Sequence, residues 1–144
     1  MEFRDSAQAG SALSNITSGL VGIPFADGGR NLAKGVDCWG LFMAGMARFG
    51  VIVPDFQIPC DATGDISEAF GKEIGKWERV ILPRPGDAVV MVIDPYKPKD
   101  VQHFGVYIGH GKFLHTMRKT GSVISKVDDP MWRRRIRGFY RWSR

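Results

Sequence analysis

The order of its local sequence patterns limits the fold of this chain more than any other feature. From Asp87 onward the sequence runs as short β-type segments separated by turn residues, whereas helix-type periodicity is confined to the first half. Helices followed by consecutive strands are typical of an α+β domain with an antiparallel sheet, and this order argues against a doubly wound parallel sheet. Because 144 residues is the length of one ordinary domain, we expect a single domain over residues 1–144.

Three segments of the first half have apolar residues at helical spacing. The strongest of them begins after Asp37, which is a favourable N-cap, and ends before Gly50, which is a stop signal. The other two helices are predicted over residues 5–20 and over a segment that contains Ile66, Phe70, Ile74 and Trp77. The predicted strands, which form an antiparallel meander, cover residues 87–93, 103–109, 112–117, 122–127 and 134–142.

The composition excludes two broad classes of protein. With 44% hydrophobic and 24% charged residues, the chain can bury a core and does not have the composition of a disordered protein. Its apolar runs are far shorter than the roughly 20 residues that a transmembrane helix needs, so we expect no membrane span. Residues 1–20 have acidic side chains near their start and lack a basic region before an apolar core. We therefore expect that a secretory signal is absent and that the protein is made in a cytoplasm.

The formal net charge of +5 is concentrated at the C-terminus. Residues 131–144 hold six arginines and no acid, which leaves 14 basic against 15 acidic residues in the rest of the chain. Two interpretations stay open. The arginines form a solvated face of the last strand, with Ile136, Gly138, Tyr140 and Trp142 on the other face. Alternatively, they dock on an anionic polymer or on an acidic protein surface.

Cysteine and histidine provide the candidate chemistry. Cys38 follows the Asp37 cap, where the first N–H groups and the dipole of the helix favour the reactive thiolate. His103 opens a predicted strand, and His115 lies in the next one. A cysteine before a helix with histidines on later strands is the general form of a cysteine nucleophile with an imidazole base and an orienting third residue. Cys60 has no evident partner residue and is expected to be a bystander.

Two other interpretations of these residues stay open at this point. Cys38 occupies a position that a structural cysteine can equally take. A zinc site formed by Cys38, His103 and His115 is chemically allowed, but the sequence offers no fourth ligand for it.

The loop between the two histidine strands decides whether His103 and His115 can touch. A two-residue turn would put the two side chains on opposite faces of the sheet. A three-residue loop over residues 109–111 fits a type I turn with a bulge, and it pairs Gly105 with His115. The catalytic interpretation therefore requires the three-residue loop, which puts His103 diagonally beside His115 on one face.

Three motifs, taken in order, resemble a known family. They are G-I-P-F-A-D-G-G-R followed by D-C-W-G-L within residues 22–41, R-P-G-D at residues 84–87, and H-F-G-V-Y-I-G-H-G-K-F-L-H at residues 103–115. Together they closely resemble the NlpC-type cell-wall cysteine peptidases, and the likeness runs from residue 20 to the C-terminus.

The resemblance implies a papain-like α+β fold, with a single NlpC-type peptidase domain over residues 1–144. It implies cleavage of the peptidoglycan stem peptide after D-glutamate, at its γ-linkage to a diamino acid. By the same resemblance Cys38 is the nucleophile, His103 is the base and His115 is the polar residue that orients His103. The resemblance implies no cofactor and no metal.

Two departures from the family pattern carry further expectations. Many members have tyrosine where this chain has Phe25, so any stabilisation of the transition state by that hydroxyl is lost. Trp39 stands where cell-wall autolysins usually have serine, and it resembles the tail-associated phage branch of the family. The ending R-I-R-G-F-Y-R (residues 135–141) likewise resembles the ending of peptidases from phage tails and gene-transfer particles.

These likenesses lead to one expected function and two alternatives. We expect a peptidoglycan endopeptidase that is assembled into a virion tail with tail-tip or hub proteins and acts in the periplasm or cell wall. The first alternative is a structural tail-tip subunit that keeps the fold and docks through its Arg-rich C-terminus. A nucleic-acid-binding module is the weaker alternative, because no recognised binding motif accompanies the short basic segment, and we expect no nucleic-acid partner.

Overall fold

The structure, a computed structural model, describes residues 15–56, 68, 70–72, 76–93, 96 and 102–142. Residues 15–17 and 70–72 are helical, in agreement with the predicted helices there, but residues 18–20 form a turn, so the predicted end of the first helix is wrong. Residues 5–14, Ile66, Ile74 and Cys60 lie outside the described residues. The remaining elements are, in chain order, β1 (Arg30–Asn31), β2 (Gly35–Val36), α1 (Cys38–Ala47), β3 (Trp77–Val80), β4 (Ala88–Met91), β5 (His103–Gly109), β6 (Lys112–Met117), β7 (Gly121–Lys126), α2 (Pro130–Arg133) and β8 (Ile136–Trp142).

The main sheet has six strands in the order β3-β8-β4-β5-β6-β7, and every neighbouring pair is antiparallel. This confirms the expected α+β architecture. Strands β4 to β7 form the predicted meander, but β8 does not extend it and instead returns to lie between β3 and β4. The buried carboxylate of Asp87 accepts two hydrogen bonds from Arg141 at 2.8 and 2.9 Å, which ties β8 beside the start of β4.

The predicted helix that ends at Trp77 is wrong at its last residue. Trp77 opens strand β3, where it pairs with Trp142 of β8, and the two rings meet edge to face at 4.9 Å between centroids. Trp77 keeps only 8% of its surface exposed. Burial of an aromatic cross-strand pair decides the local structure here, and it outweighs the helical spacing of the apolar residues before Trp77.

Helix α1 begins where the sequence predicts. The carboxylate of Asp37 accepts a hydrogen bond from the Gly40 N–H at 2.8 Å, which confirms its role as N-cap. The helix ends at Ala47, three residues before Gly50, and Gly50 has the left-handed φ of 77° that helix termination needs. None of the described helices has the length and apolar character to cross a membrane.

Helix α1 packs on one side of the sheet, and alternate residues of the strands divide the core. One cluster joins α1 to β4 and β5 and contains Phe42, Met46, Val90, Phe104 and Val106. The alternate positions Val89, Met91 and Phe113 instead pack with Trp132 of α2. Side chains of strands β5 and β6 therefore meet either α1 or α2, depending on their parity.

Strand β8 contains a bulge that changes the predicted alternation. Val90 pairs with Gly138, whereas Met91 pairs with Ile136, so Arg137 is the extra residue. Ile136 consequently packs in the same cluster as Phe139. Its predicted position on the face of Tyr140 and Trp142 is therefore wrong, because the bulge reverses which face Ile136 points to.

The hairpin between β5 and β6 combines features of both loops considered from the sequence. Gly109 pairs with Lys112, as in a two-residue turn, but the register shifts between Tyr107 and Gly109. Farther from the turn, Tyr107 pairs with Phe113, the register that the three-residue loop predicts. The expected loop length is wrong, but the bulge restores the expected register and so the expected face for both histidines.

Candidate active site

Cys38 is the first residue of helix α1, and its side chain is buried. The first N–H groups of a helix have no intrahelical carbonyl partner, and they concentrate partial positive charge at this end. Such surroundings stabilise a thiolate relative to a thiol. Local structure therefore gives Cys38 the position that a reactive cysteine requires.

The turn that carries Cys38 is held by a network centred on the buried Asp37. Besides capping α1, the carboxylate accepts hydrogen bonds from Arg30 Nη1 at 2.7 Å and from the Gly28 N–H at 3.1 Å. A Cβ atom at Gly40 would collide with the carbonyl oxygen of Gly29, so glycine is required where the loop crosses the helix. Asp37 thus positions the glycine-rich loop against the start of α1.

Arg30 extends this network to the segment after α1. Its guanidinium hydrogen-bonds Asp55 Oδ1 at 3.0 Å and the carbonyl oxygen of Phe56 at 3.0 Å. This role could not be predicted from the sequence, because an arginine that follows two glycines carries no signal of its distant partners.

His103 and His115 lie side by side in the sheet, as expected from the sequence. Nε2 of His103 is 2.8 Å from Nδ1 of His115, and Nε2 of His115 is 2.7 Å from Oγ of Ser125. Three side chains from β5, β6 and β7 thus form one continuous chain of hydrogen bonds. Ser125 was not identified from the sequence, although its strand parity relative to Phe113 and His115 could have indicated it.

Trp132 covers the two imidazoles. Its ring stacks on His103 at 6.0 Å between centroids and 19° between planes, and it meets His115 edge to face at 4.6 Å. Trp132 lies on α2, a single helical turn that the sequence patterns did not reveal. An Asp129 cap and Pro130 at the first helical position do signal this turn when they are read together.

Burial governs the protonation of both histidines. Desolvation by burial lowers the pKa of His103 to about 4. The pKa of His115 is lowered to about 2, mainly by burial and further by the neighbouring His103. Both rings are therefore neutral at pH 7, and His103 has the form of a base that can accept a proton.

Cys38 and His103 line the same cleft, which has a volume of about 460 Å³. His115 lies behind His103, to which it is hydrogen-bonded, and it does not line the cleft. Phe25 is on the cleft wall, and so is Thr116, whose buried hydroxyl has no hydrogen-bond partner among the residues that the structure describes. The described part of the chain contains no group of three His, Cys, Asp or Glu side chains arranged to hold a metal ion.

Comparison with known proteins relates the chain to one protein family. The model of the NlpC/P60 family matches residues 22–141. The chain is 26% identical over 124 residues to the gamma-DL-glutamyl hydrolase of Bacillus subtilis, an alignment that covers 85% of this chain and 27% of that protein. It is 28% identical over 108 residues to the murein DD-endopeptidase MepS/murein LD-carboxypeptidase of Escherichia coli, covering 74% of this chain and 50% of that protein. The chain thus spans half or less of the length of these two relatives.

A solved structure supports the same relationship at the level of the fold. A lipoprotein-like protein of the NLP/P60 family from Staphylococcus aureus superposes with a TM-score of 0.65 at 16% identity, covering 93% of this chain and 42% of that one. The papain-like α+β fold expected from the sequence is confirmed by this likeness. The family match covers most of the chain, and the chain therefore belongs to the NlpC/P60 family.

Proposed function

We propose that this protein is a cysteine peptidase that hydrolyses an amide bond in the stem peptide of peptidoglycan. The observation that carries the proposal is that Cys38 and His103 line one cleft while His103 is hydrogen-bonded to His115. Membership of the NlpC/P60 family supports it, as do the names of the two relatives, which specify murein and γ-glutamyl substrates.

The proposed reaction begins with proton transfer from Cys38 to His103. Nε2 of His103 is engaged by His115, so Nδ1 is the ring nitrogen that takes the thiol proton. The sulfur then forms a bond to the amide carbon. N–H groups at the start of α1 stabilise the resulting oxyanion, a contribution that is typically worth about 3 kcal/mol.

The second half of the reaction returns the enzyme to its starting state. The C–N bond breaks as His103 gives its proton to the leaving amine, and a thioester on Cys38 remains. Water, activated by His103, adds to the thioester carbon. The C–S bond breaks, a carboxylic acid leaves, and Cys38 recovers its proton.

The bond that we propose for cleavage is the one between D-glutamate, at its γ-carboxyl group, and the following diamino acid. The name of the B. subtilis relative supports a γ-glutamyl bond, while that of the E. coli relative specifies DD and LD linkages. Mass spectrometry of the products from a defined muropeptide tests the choice. Fragments that end in D-glutamate support it, and products cut at another linkage contradict it.

We further propose that the peptidase is made in the bacterial cytoplasm, assembled into a phage-like tail and used in the periplasm or cell wall. Trp39 and the arginine-rich ending, which resemble those of tail-associated relatives, support this proposal. Its alternative, a structural tail-tip subunit, is favoured by the exposed side chains of Arg133 and Arg134. Detection of the protein in purified particles tests the tail location, and muropeptide release by those particles separates the peptidase from the structural subunit.

Substitution of the nucleophile tests the activity directly. We expect Cys38→Ala to abolish hydrolysis of purified sacculi while circular dichroism shows an unchanged fold. Cys60→Ser is the matched control, because it removes the other thiol of the chain and should retain hydrolysis. Full activity of Cys38→Ala would overturn the assignment.

A further inference from the structure

The turn between β6 and β7 brings two basic side chains to the cleft that contains Cys38. We propose that one of them, Arg118, binds the free α-carboxylate of the substrate residue whose carbonyl carbon is attacked. The inference rests on the proposed stem-peptide activity and adds to it a residue that selects the substrate.

The charge of the cleft favours an anionic ligand. Arg118 and Lys119 both line it, and no acidic side chain of the described residues does so. A cleft with charges of one sign and low-dielectric walls attracts ligands of the opposite sign. The charge that the substrate presents near Arg118 is therefore expected to be negative.

The apolar character of the other cleft walls makes a contact with the guanidinium selective for a carboxylate. Side chains of Phe25, Ile93, Met117 and Met131 line the same cleft, so most of its surface is apolar. A carboxylate that enters such a site loses water and needs a strong donor in return. An arginine provides one through two parallel N–H groups, and hydrogen bonds between two charged groups are about twice as strong as neutral ones.

Phe25 holds this arginine over the cleft. The guanidinium carbon of Arg118 lies 5.2 Å from the centroid of the Phe25 ring, within the range of a cation–π contact. The aromatic face orients the cation, and phenylalanine itself has no hydroxyl group to offer a polar ligand. Polar recognition at this wall therefore depends on the guanidinium, at the position where Phe25 departs from the tyrosine of many family members.

The chemistry of the proposed substrate provides the matching anion. When glutamate is linked through its γ-carboxyl group, that group becomes the scissile amide and the α-carboxyl group stays free. The free carboxylate lies only a few bonds from the carbon that Cys38 attacks. A peptide bound with its amide at Cys38 can thus present this carboxylate elsewhere in the same cleft.

The test uses two synthetic muropeptides that differ only in this group, which is either the α-carboxylate or the α-carboxamide. Wild-type protein should cleave the carboxylate with a kcat/KM at least about tenfold higher, since a lost charged hydrogen bond costs roughly tenfold or more. Arg118→Gln should raise KM for the carboxylate about tenfold, with little change in kcat, and should leave KM for the carboxamide unchanged. Lys72→Gln is the matched control, because it removes an exposed charge outside the cleft. It should change KM for neither peptide.

A binding measurement keeps this proposal separate from the proposed function. Calorimetric titration of the Cys38→Ala variant, with and without Arg118→Gln, measures peptide affinity whether or not turnover occurs. Absence of cleavage by wild-type protein, with Arg118-dependent binding of the carboxylate, would contradict the peptidase activity and keep the binding role. Three results would overturn the role of Arg118. They are an equal loss of affinity for both peptides on Arg118→Gln, equal affinity for the two peptides when Arg118 is present, and no binding of either peptide.

Phe25 provides a further test of the same contact. Phe25→Tyr keeps the aromatic face and should retain the preference for the carboxylate. Phe25→Leu removes the face and should reduce the preference severalfold. An unchanged preference in Phe25→Leu would contradict the orienting role of the ring.

Discussion

Nε2 of His103 lies 2.8 Å from Nδ1 of His115, and under the proposed function this contact fixes the direction of a chain of hydrogen bonds. When Nδ1 of His103 accepts the proton of Cys38, Nε2 must carry a hydrogen and donate it to His115. Neutral His115 then carries its own hydrogen on Nε2, which donates to Oγ of Ser125 at 2.7 Å. Among the described residues, Ser125 is therefore the acceptor at the end of this chain of hydrogen bonds.

Removal of this acceptor should slow the reaction without preventing it. We expect Ser125→Ala to lower kcat about two- to tenfold with little effect on KM, because a single neutral hydrogen bond is worth about 0.5–1.5 kcal/mol. Ser125→Thr keeps the hydroxyl and should restore kcat. Steady-state kinetics with a soluble muropeptide measure kcat and KM for both variants. An equal loss of kcat in Ser125→Ala and Ser125→Thr would indicate that Ser125 has only a packing role.

Acidification should destabilise the fold through the two buried histidines. Their folded-state pKa values of about 4 and about 2 lie below the ordinary value of 6.5, so the unfolded chain binds more protons as the pH falls. The contribution of each ring is complete above pH 6.5 and is lost as the pH falls toward its folded-state pKa, about 4 for His103 and about 2 for His115. We expect the free energy of unfolding to fall by about 2 kcal/mol per histidine between pH 7 and pH 5.

Urea denaturation at the two pH values measures this loss. His103→Gln should remove part of the pH dependence, because glutamine does not titrate. His110→Gln replaces the histidine of the β5–β6 turn, which is exposed, and is the matched control. The same pH dependence in wild-type protein and in His103→Gln would contradict the burial effect.

Arg141 should stabilise the fold, and this role does not involve docking. Its guanidinium makes two hydrogen bonds to Asp87, whose carboxylate is buried. Arg141→Gln would leave that carboxylate without its ionic partner, and we expect the melting temperature to fall by several degrees. Arg133→Gln removes the same charge from an exposed position, and calorimetry should find its melting temperature close to that of the wild type.

Three other arginines of the C-terminal segment test the docking interpretation. Under the docking interpretation, the combined change of Arg133, Arg134 and Arg135 to Gln weakens association with sacculi or particles and flattens its salt dependence, since exposed charges are screened beyond about 8 Å at physiological ionic strength. Cleavage of a soluble muropeptide should change little. If neither association nor cleavage changes, the arginines form a solvated face. If both fall equally, the arginines stabilise the fold.

Local chemistry explains which parts of the site could be predicted from the sequence. The Asp37 cap, the start of α1 at Cys38 and the common face of His103 and His115 depend on neighbours in the chain and on strand parity. Those features are encoded within a few residues of where they act. They were predicted correctly for that reason, and the motifs that contain them carry the family resemblance.

Features that depend on distant partners could not be predicted in this way. The pairing of β8 with β4 brings together Asp87 and Arg141, which are 54 residues apart in the chain. The strand at Trp77 forms only because Trp142 lies beside it. The bulge at Arg137 likewise shows only when the register of both strands is known, since local periodicity says nothing about the partner strand.

The close packing of α1 on β5 has a consequence for how the protein acquires activity as it folds. A Cβ atom at Gly45 would lie 2.9 Å from Cγ2 of Val106, so the two elements approach as closely as a glycine permits. Cys38 and His103 come from different halves of the chain and share a cleft only through this approach. Contacts between distant segments form slowly, because a long loop must close first. Recovery of hydrolysis during refolding would thus time the docking of the helix on the sheet, after secondary structure measured by circular dichroism has returned.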